Sequence, residues 1–459
     1  MTAGGETAPT LATGFLLERF AAAGGKTAFV EADGRRETYA GLLARIGDAG
    51  AALDAAGVGP GASVQLRGDF GAAATAFLLA LWARGAAVTP VAPVSLEKAG
   101  EFAEVGQAAW IVDAASGAIE PGPGRSDHPL YDDLRGRGVP GLVIFSSGTT
   151  GASKGAVHDA TRLLSKFESP GKDFRTLAFL LFDHIAGVDT LLYCLSNAST
   201  IVCPAERTPE AICRLIAAEA VEVLPTAPSF LNLMLLSGAH ESHDLSSLKI
   251  VTYGAEMMPQ ALLERVAAAL PQARLVQKYG TSEIGALRSQ SEGNASRWIR
   301  IGGHGGGQGT EWRVVDGLLE VRTGTAMLGY LNAPSPFTDD GWYRTGDRVE
   351  VKGDMVRFLG RDSDVINVGG QKVFPAEVEA EIARLDGVAE VAVSGAPHPI
   401  LGAVVTARVR MRDPGATPAQ VRTALRQGLA GRLEPYKIPQ KIDVTDQPLV
   451  TDRFKQRRG

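Results

Sequence analysis

Short apolar runs alternate with Ala- and Leu-rich amphipathic stretches along most of this chain. Residues 27–34, TAFVEADG, read as a strand entering a hairpin. Residues 37–57 read as a helix whose apolar positions Leu42, Leu43, Ile46 and Leu53 share one face. SVQLRG, AAVTPV and AAWIVDA then read as strands around the helix AAATAFLLALWARG, and the alternation resumes from Leu177 to Gly280. Such alternation predicts α/β layers with largely parallel sheets. From about Glu311 the texture changes to short strands and turns, a small β subdomain. The last hundred or so residues predict a small α+β unit: helix AEVEAEIARL, strands VAEVAVSGA and AVVTARVRM, helix TPAQVRTALRQGLAGRL. The expected boundary lies near Gly360-Arg361-Asp362, giving a large N-terminal domain over 1–360 and a C-terminal domain over 361–459.

Composition narrows the class. The chain has 459 residues, 45% hydrophobic and 21% charged, with net charge −5 and pI near 5.9. There is no basic field to attract nucleic acid or an anionic membrane. The N-terminus lacks the pattern of a signal peptide, and no apolar run is long enough to span a bilayer. Cys194, Cys203 and Cys213 lack CxxC spacing and sit among apolar residues, as expected of inert thiols in a reducing, cytoplasmic compartment. The seven histidines show no zinc-ligand spacing.

Candidate chemistry begins at VIFSSGTTGASKGAVHD, residues 143–159. Lys154 lies between Ser153 and Gly155, so the Walker pattern G-x-x-x-x-G-K-[ST] fails. What remains is a loop of hydroxyls, glycines and one cation: Ser146, Ser147, Gly148, Thr149, Thr150, Gly151 and Lys154. Glycines allow backbone N–H groups close to phosphate oxygens, and the hydroxyls and lysine add donors. The same composition also suits a flexible turn between two elements.

The loop resembles the [ST]SG[TS]TGxPKG signature of the adenylate-forming superfamily (acyl-CoA synthetases, peptide-synthetase adenylation domains, luciferases), with Ser153 where proline is common. Further stretches resemble that family in order. They are Tyr253-Gly254-Ala255-Glu256, Tyr279-Gly280-Thr281-Ser282-Glu283, Tyr343-Arg344-Thr345-Gly346-Asp347, GRDSDVINVGGQKVFPAEVE from Gly360, and Pro435-Tyr436-Lys437-Ile438-Pro439. The resemblance runs from about Thr27 to the C-terminus and implies an ATP-dependent ligase. Such a ligase joins an acid to AMP, then passes the acyl group on, with CoA as the expected acceptor. ATP, Mg2+ and CoA are the implied cofactors, and a small-molecule acid the implied substrate. A carrier protein or amine acceptor, a small inorganic acid such as nitrite, and a degenerate nucleotide-binding module are the alternatives.

The resemblance also implies roles. Glu283 would hold magnesium beside the Ser282 hydroxyl, Gly254, Ala255 and Glu256 would border adenine, and Tyr279 with Gly280 would offer it a flat face. Asp347 and Arg361 would bind the ribose. Lys455 is the expected catalytic lysine, although Phe454 and Leu449 stand where the family keeps glycine and proline. At the hinge, Ser363 stands where Asp or Lys is usual, and the small domain is expected to rotate there. Gly369 and Gly370 would then approach the acceptor thiol, and Lys372, in the same cofactor-binding stretch, stands where the family often keeps a basic residue. His184 matches a histidine that gates the carboxylate channel, while Phe182-Asp183 imitates the amino-group anchor of amino-acid-activating relatives. Residues 228–236, PSFLNLMLL, and Ile284-Gly285-Ala286 are expected to line an apolar acyl pocket.

Overall fold

The computed structural model describes residues 13–147, 153–302, 309–412, 415, 417–447 and 449. Gly148, Thr149, Thr150, Gly151, Phe454 and Lys455 lie outside these residues.

Two seven-stranded sheets form the large N-terminal part. One runs Arg274–Gln277, Ile250–Tyr253, Val223–Thr226, Arg175–Leu177, Thr200–Val202, Thr27–Val30, Arg36–Thr38, and is parallel except for its last pair. The other runs Gly329–Tyr330, Ser153–Asp159, Gly141–Ser147, Ala87–Val91, Ser63–Arg67, Trp110–Asp113, Ile119–Pro121, mixing parallel and antiparallel pairs.

The predicted amphipathic helix spans Tyr39–Ala56 and buries Leu42 and Leu53. Helix Ala72–Ala83 has no polar face at all; Ala74 through Trp82 are all buried. A helix apolar all round has to lie within the core. The Trp82 indole N–H donates to Gly141 O at 3.0 Å, which ties this helix to the strand that carries the hydroxyl-rich loop.

A six-stranded antiparallel sheet follows, in the order Ser289–Ser291, Ile299–Ile301, Met355–Arg361, Tyr343–Lys352, Leu318–Arg322, Glu311–Val315. The C-terminal unit has its own five-stranded sheet, with helices Pro375–Ile382 and Pro418–Leu429. Its separate core includes Val373, Val378, Ile382, Val393, Val409 and Leu429. Between this unit and the large part lies a cleft of about 110 Å3. Asn232 Nδ2 crosses to Ala389 O at 3.1 Å.

The three cysteines are buried free thiols, and burial pushes Cys194 up to about 12 and Cys213 up to about 11. Such groups stay protonated and unreactive. Among the described residues no helix is long and apolar enough to cross a membrane.

Candidate active site

The hydroxyl-rich loop is carried by a hairpin. Strands Gly141–Ser147 and Ser153–Asp159 pair antiparallel, with Ser146 opposite Lys154. The flank of that loop is pinned by Asn332, whose Oδ1 accepts from Gly155 N at 3.2 Å and whose Nδ2 donates to Ser153 O at 2.8 Å. The edge strand Gly329–Tyr330 pairs with the same hairpin and brings the Tyr330 ring under Lys154, with Nζ 5.5 Å from the ring centroid. That distance is within range of a cation–π attraction.

Tyr330 also donates its hydroxyl to Glu283 Oε1 at 2.5 Å. Glu283 lies in the tight connection between Tyr279–Thr281 and Gly285–Leu287, which pair antiparallel. It is 8% exposed. Burial by itself raises a carboxylate's pKa. Here hydrogen bonds from Thr281, Tyr330 and Tyr343 outweigh burial and hold Glu283 below its ordinary value. Three hydroxyls drawn from three strands thus keep one buried carboxylate ionised.

Ser282, half-buried beside it, is anchored through its backbone: its carbonyl lies 2.6 Å from His158 Nε2. Burial lowers the pKa of His158, against the carbonyls of Ser282 and Thr325, so the imidazole is neutral and serves as a donor. A single ionised carboxylate flanked by hydroxyls suits a hard divalent cation that takes its other oxygens from nucleotide phosphates and water. No cluster of three His, Cys, Asp or Glu able to hold a metal exists among the described residues.

Next to it, Asp347 and Arg361 are cross-strand partners at the open end of the hairpin Tyr343–Lys352/Met355–Arg361, away from its turn. Arg361 Nε lies 3.0 Å from Asp347 Oδ1, and Tyr279 donates its hydroxyl to Asp347 Oδ2 at 2.7 Å. Burial pushes the pKa of Asp347 up, while Arg361 and Tyr279 pull it down without cancelling the rise. The Tyr279 ring stacks on Phe358 at 4.3 Å and 23° and is almost wholly enclosed, so the face turned toward Phe358 is covered.

Gly254 ends strand Ile250–Tyr253, where a Cβ would sit 2.9 Å from Lys278 O; only glycine fits there without a backbone shift. Ala255 then adopts φ +66°, a strained conformation for alanine. Glu256 accepts from both Ser229 N and Ser229 Oγ, at 3.1 and 2.5 Å. Gly280 lies against the backbone of Gly285 and Ala286, again without room for a side chain.

The remaining candidates stand apart from this group. His184 precedes helix Ile185–Ser196, with Nε2 4.0 Å from Asp183 Oδ1. Gly369 and Gly370, at φ +58° and +86°, form the two-residue turn between Ile366–Val368 and Gln371–Val373. That is the backbone a tight type I′ hairpin requires. Lys372 is exposed on the second strand. Between strands Met355–Arg361 and Ile366–Val368, Asp362 to Asp364 form a single 3-10 turn, and Asp362 accepts from Arg348 Nε at 2.6 Å.

One expectation needs correction. Phe230, Leu231 and Met234 of helix Pro228–Ser237 are wholly buried in the core beneath the parallel sheet, and Ile284 is buried with Leu287. These apolar residues are core. The same helix turns Ser229, Asn232 and Leu233 toward the interdomain cleft. Tyr330, Asn332 and His158 were not singled out from the sequence; each acts across more than 40 residues, so no local spacing marks them.

The AMP-binding enzyme family matches residues 17–119 and 124–336, and the AMP-binding enzyme C-terminal domain matches 377–455. The chain is 32% identical over 320 residues to a 3-[(3aS,4S,7aS)-7a-methyl-1,5-dioxo-octahydro-1H-inden-4-yl]propanoyl:CoA ligase of Rhodococcus jostii (strain RHA1). That alignment covers 66% of this chain and 61% of the relative. It is 30% identical to the ligase of the same name from Mycobacterium tuberculosis (strain ATCC 25618 / H37Rv), over 90% of this chain and 91% of that one. In fold it is similar to the anthranilate CoA ligase AuaEII in complex with anthranoyl-AMP. The TM-score is 0.80 at 20% identity, over 97% of this chain and 95% of that one.

Proposed function

The chain belongs to the AMP-binding enzyme family, and from that premise we propose that it is an ATP-dependent, AMP-forming ligase for a fatty or aryl carboxylic acid, with CoA as acceptor and the cytoplasm as its compartment. The observation that carries this reading is Glu283, buried yet held ionised beside the Asp347–Arg361 pair.

The acid's carboxylate is already a nucleophile, so the chemistry needs alignment and charge neutralisation at the α-phosphorus rather than a general base. Its oxygen forms a bond to that phosphorus as the bond to pyrophosphate breaks. Lys154 and the hydroxyls from Ser146 to Thr150 hold the departing phosphates, and Ser282 donates toward the α-phosphate. Mg2+ held by Glu283 would neutralise phosphate charge. Gly254, Ala255, Glu256 and Tyr279 border the base, and Asp347 with Arg361 takes the ribose hydroxyls, the sugar competing with the internal ion pair. Lys455 bridges the acid and the α-phosphate. In the second step the C-terminal domain turns about the segment after Arg361, and Gly369, Gly370 and Lys372 meet the acceptor's thiol arm. The thiol then displaces AMP from the acyl group.

The test is pyrophosphate release over a panel of fatty, aryl, amino and inorganic acids, by the wild type and Lys455→Ala. The wild type should turn over one fatty or aryl acid, with a loss of about 100-fold or more in the variant. Equal, acid-independent rates in both proteins sink the reading. Adding CoA to the best acid should give a thioester. If none forms, the second step passes to a carrier protein or an amine.

A further inference from the structure

Asp183 is the residue whose role the sequence left most divided, and its surroundings decide it. The carboxylate is 5% exposed. Its Oδ2 accepts a hydrogen bond from Ser95 Oγ, which is itself wholly buried in the 3-10 turn Pro93–Lys98 after strand Ala87–Val91. Its Oδ1 accepts no hydrogen bond from any described residue and faces His184 Nε2 at 4.0 Å. That separation is too long for a hydrogen bond but within ion-pair range.

The backbone around the pair has little freedom. His184 N donates to Leu181 O at 3.2 Å, and a Cβ on Gly187 would lie 1.8 Å from that same carbonyl. The turn entering helix Ile185–Ser196 is therefore closed on itself, and Asp183 and His184 leave it at fixed angles. A buried carboxylate oxygen without a donor is costly unless a proton-bearing or cationic group faces it. The His184 imidazole is the group placed there.

We propose that Asp183 is a positioning residue for His184, with Ser95 fixing one carboxylate oxygen and the other setting the orientation of the imidazole. The carboxylate is thereby committed inside the protein. It is not an anchor for a substrate ammonium, and the acid taken at this site carries no α-amino group. This rests on the acid-activating reading above. It adds the substrate's chemical class and a job for a pair of residues that reading did not use.

The experiment is steady-state pyrophosphate release by the full chain and its Asp183→Asn, Ser95→Ala, His184→Ala and Asp183→Asn/His184→Ala variants. Octanoate, benzoate and L-phenylalanine are the probe acids, and ATP affinity is measured alongside as a check on folding. Octanoate or benzoate should be preferred by the wild type. Asp183→Asn should weaken kcat/KM for that acid about tenfold while the KM for ATP stays unchanged. Ser95→Ala should move it in the same direction by a smaller factor. In the His184→Ala background, Asp183→Asn should have almost no further effect, because a residue that acts only through His184 has nothing left to orient. Independent, multiplicative losses in the double variant overturn the proposal. So does an Asp183→Asn enzyme equal to wild type, or a wild type that prefers L-phenylalanine and loses that preference in Asp183→Asn. All of these outcomes leave acid adenylation standing, and a preference for L-phenylalanine also removes the fatty or aryl acid from the reading above. A wild type inert toward every acid removes the ligase reading instead.

Discussion

Tyr330→Phe isolates the electrostatic design of the candidate metal carboxylate. The substitution keeps the ring under Lys154 and deletes one hydroxyl, the donor 2.5 Å from Glu283 Oε1. A hydrogen bond to a charged group contributes about 1.5–3 kcal/mol, and about 1.4 kcal/mol corresponds to one pH unit. Removing one of three donors from a buried carboxylate should therefore raise the pKa of Glu283 by roughly one to two pH units. Its folded pKa lies below the ordinary value, so the donors stabilise the fold above the unfolded pKa, and that stability is lost as pH falls through the folded pKa. The variant should be about 1–3 kcal/mol less stable at neutral pH, with the gap closing in acid.

The functional readout is pyrophosphate release from about pH 5 to about pH 8. The acid limb of the Tyr330→Phe profile should move upward by about one pH unit or more, and at neutral pH half-saturation should need several-fold more Mg2+. An acid limb that stays in place in a folded Tyr330→Phe protein would falsify the assignment of Glu283 as the ionised ligand.

Two further outcomes follow, one at the same site and one in the C-terminal unit. Burial raises the folded pKa of Asp347, so any stability its ionisation state lends is present at low pH and lost as pH rises through that pKa. Asp347→Asn should thus leave the melting temperature at mildly alkaline pH unchanged or higher, while weakening ATP binding about tenfold or more, read by calorimetry. Unchanged ATP affinity there would remove Asp347 from the ribose site. Gly370→Ala forces alanine to φ +86° and should destabilise the C-terminal unit by about 1 kcal/mol or more. Pyrophosphate release should survive it, and thioester formation should fall about tenfold or more; equal losses in both steps would place the turn outside the second step.

Much of this fold was legible in the chain. Alternating strands and helices gave the layered N-terminal part, and the change of texture near Glu311 marks four of the six strands of the antiparallel sheet, which itself begins earlier, at Ser289–Ser291. The motif residues Glu283, Asp347 and Arg361 do converge: Asp347 and Arg361 are cross-strand partners in the antiparallel sheet, and Tyr279, which bonds Asp347, starts the short hairpin whose connection carries Glu283. The failures have one physical origin. Helix Pro228–Ser237 has an apolar face, and a sequence cannot distinguish a face that lines a pocket from one that seals a core. Tyr330 and Ser95 sit in short or irregular elements, and their partners Glu283 and Asp183 are 47 and 88 residues away. Periodicity carries no information over such separations.

The double use of Tyr330 has a last consequence. Its ring face meets Lys154 and its hydroxyl meets Glu283, so an aromatic spacer stands between the cation of one motif and the anion of another. A smaller aliphatic residue at that place would let the two opposite charges approach and quench each other, leaving neither available for the role proposed for it above. Tyr330 works as an insulator: it supports both charges and keeps them from being spent on one another.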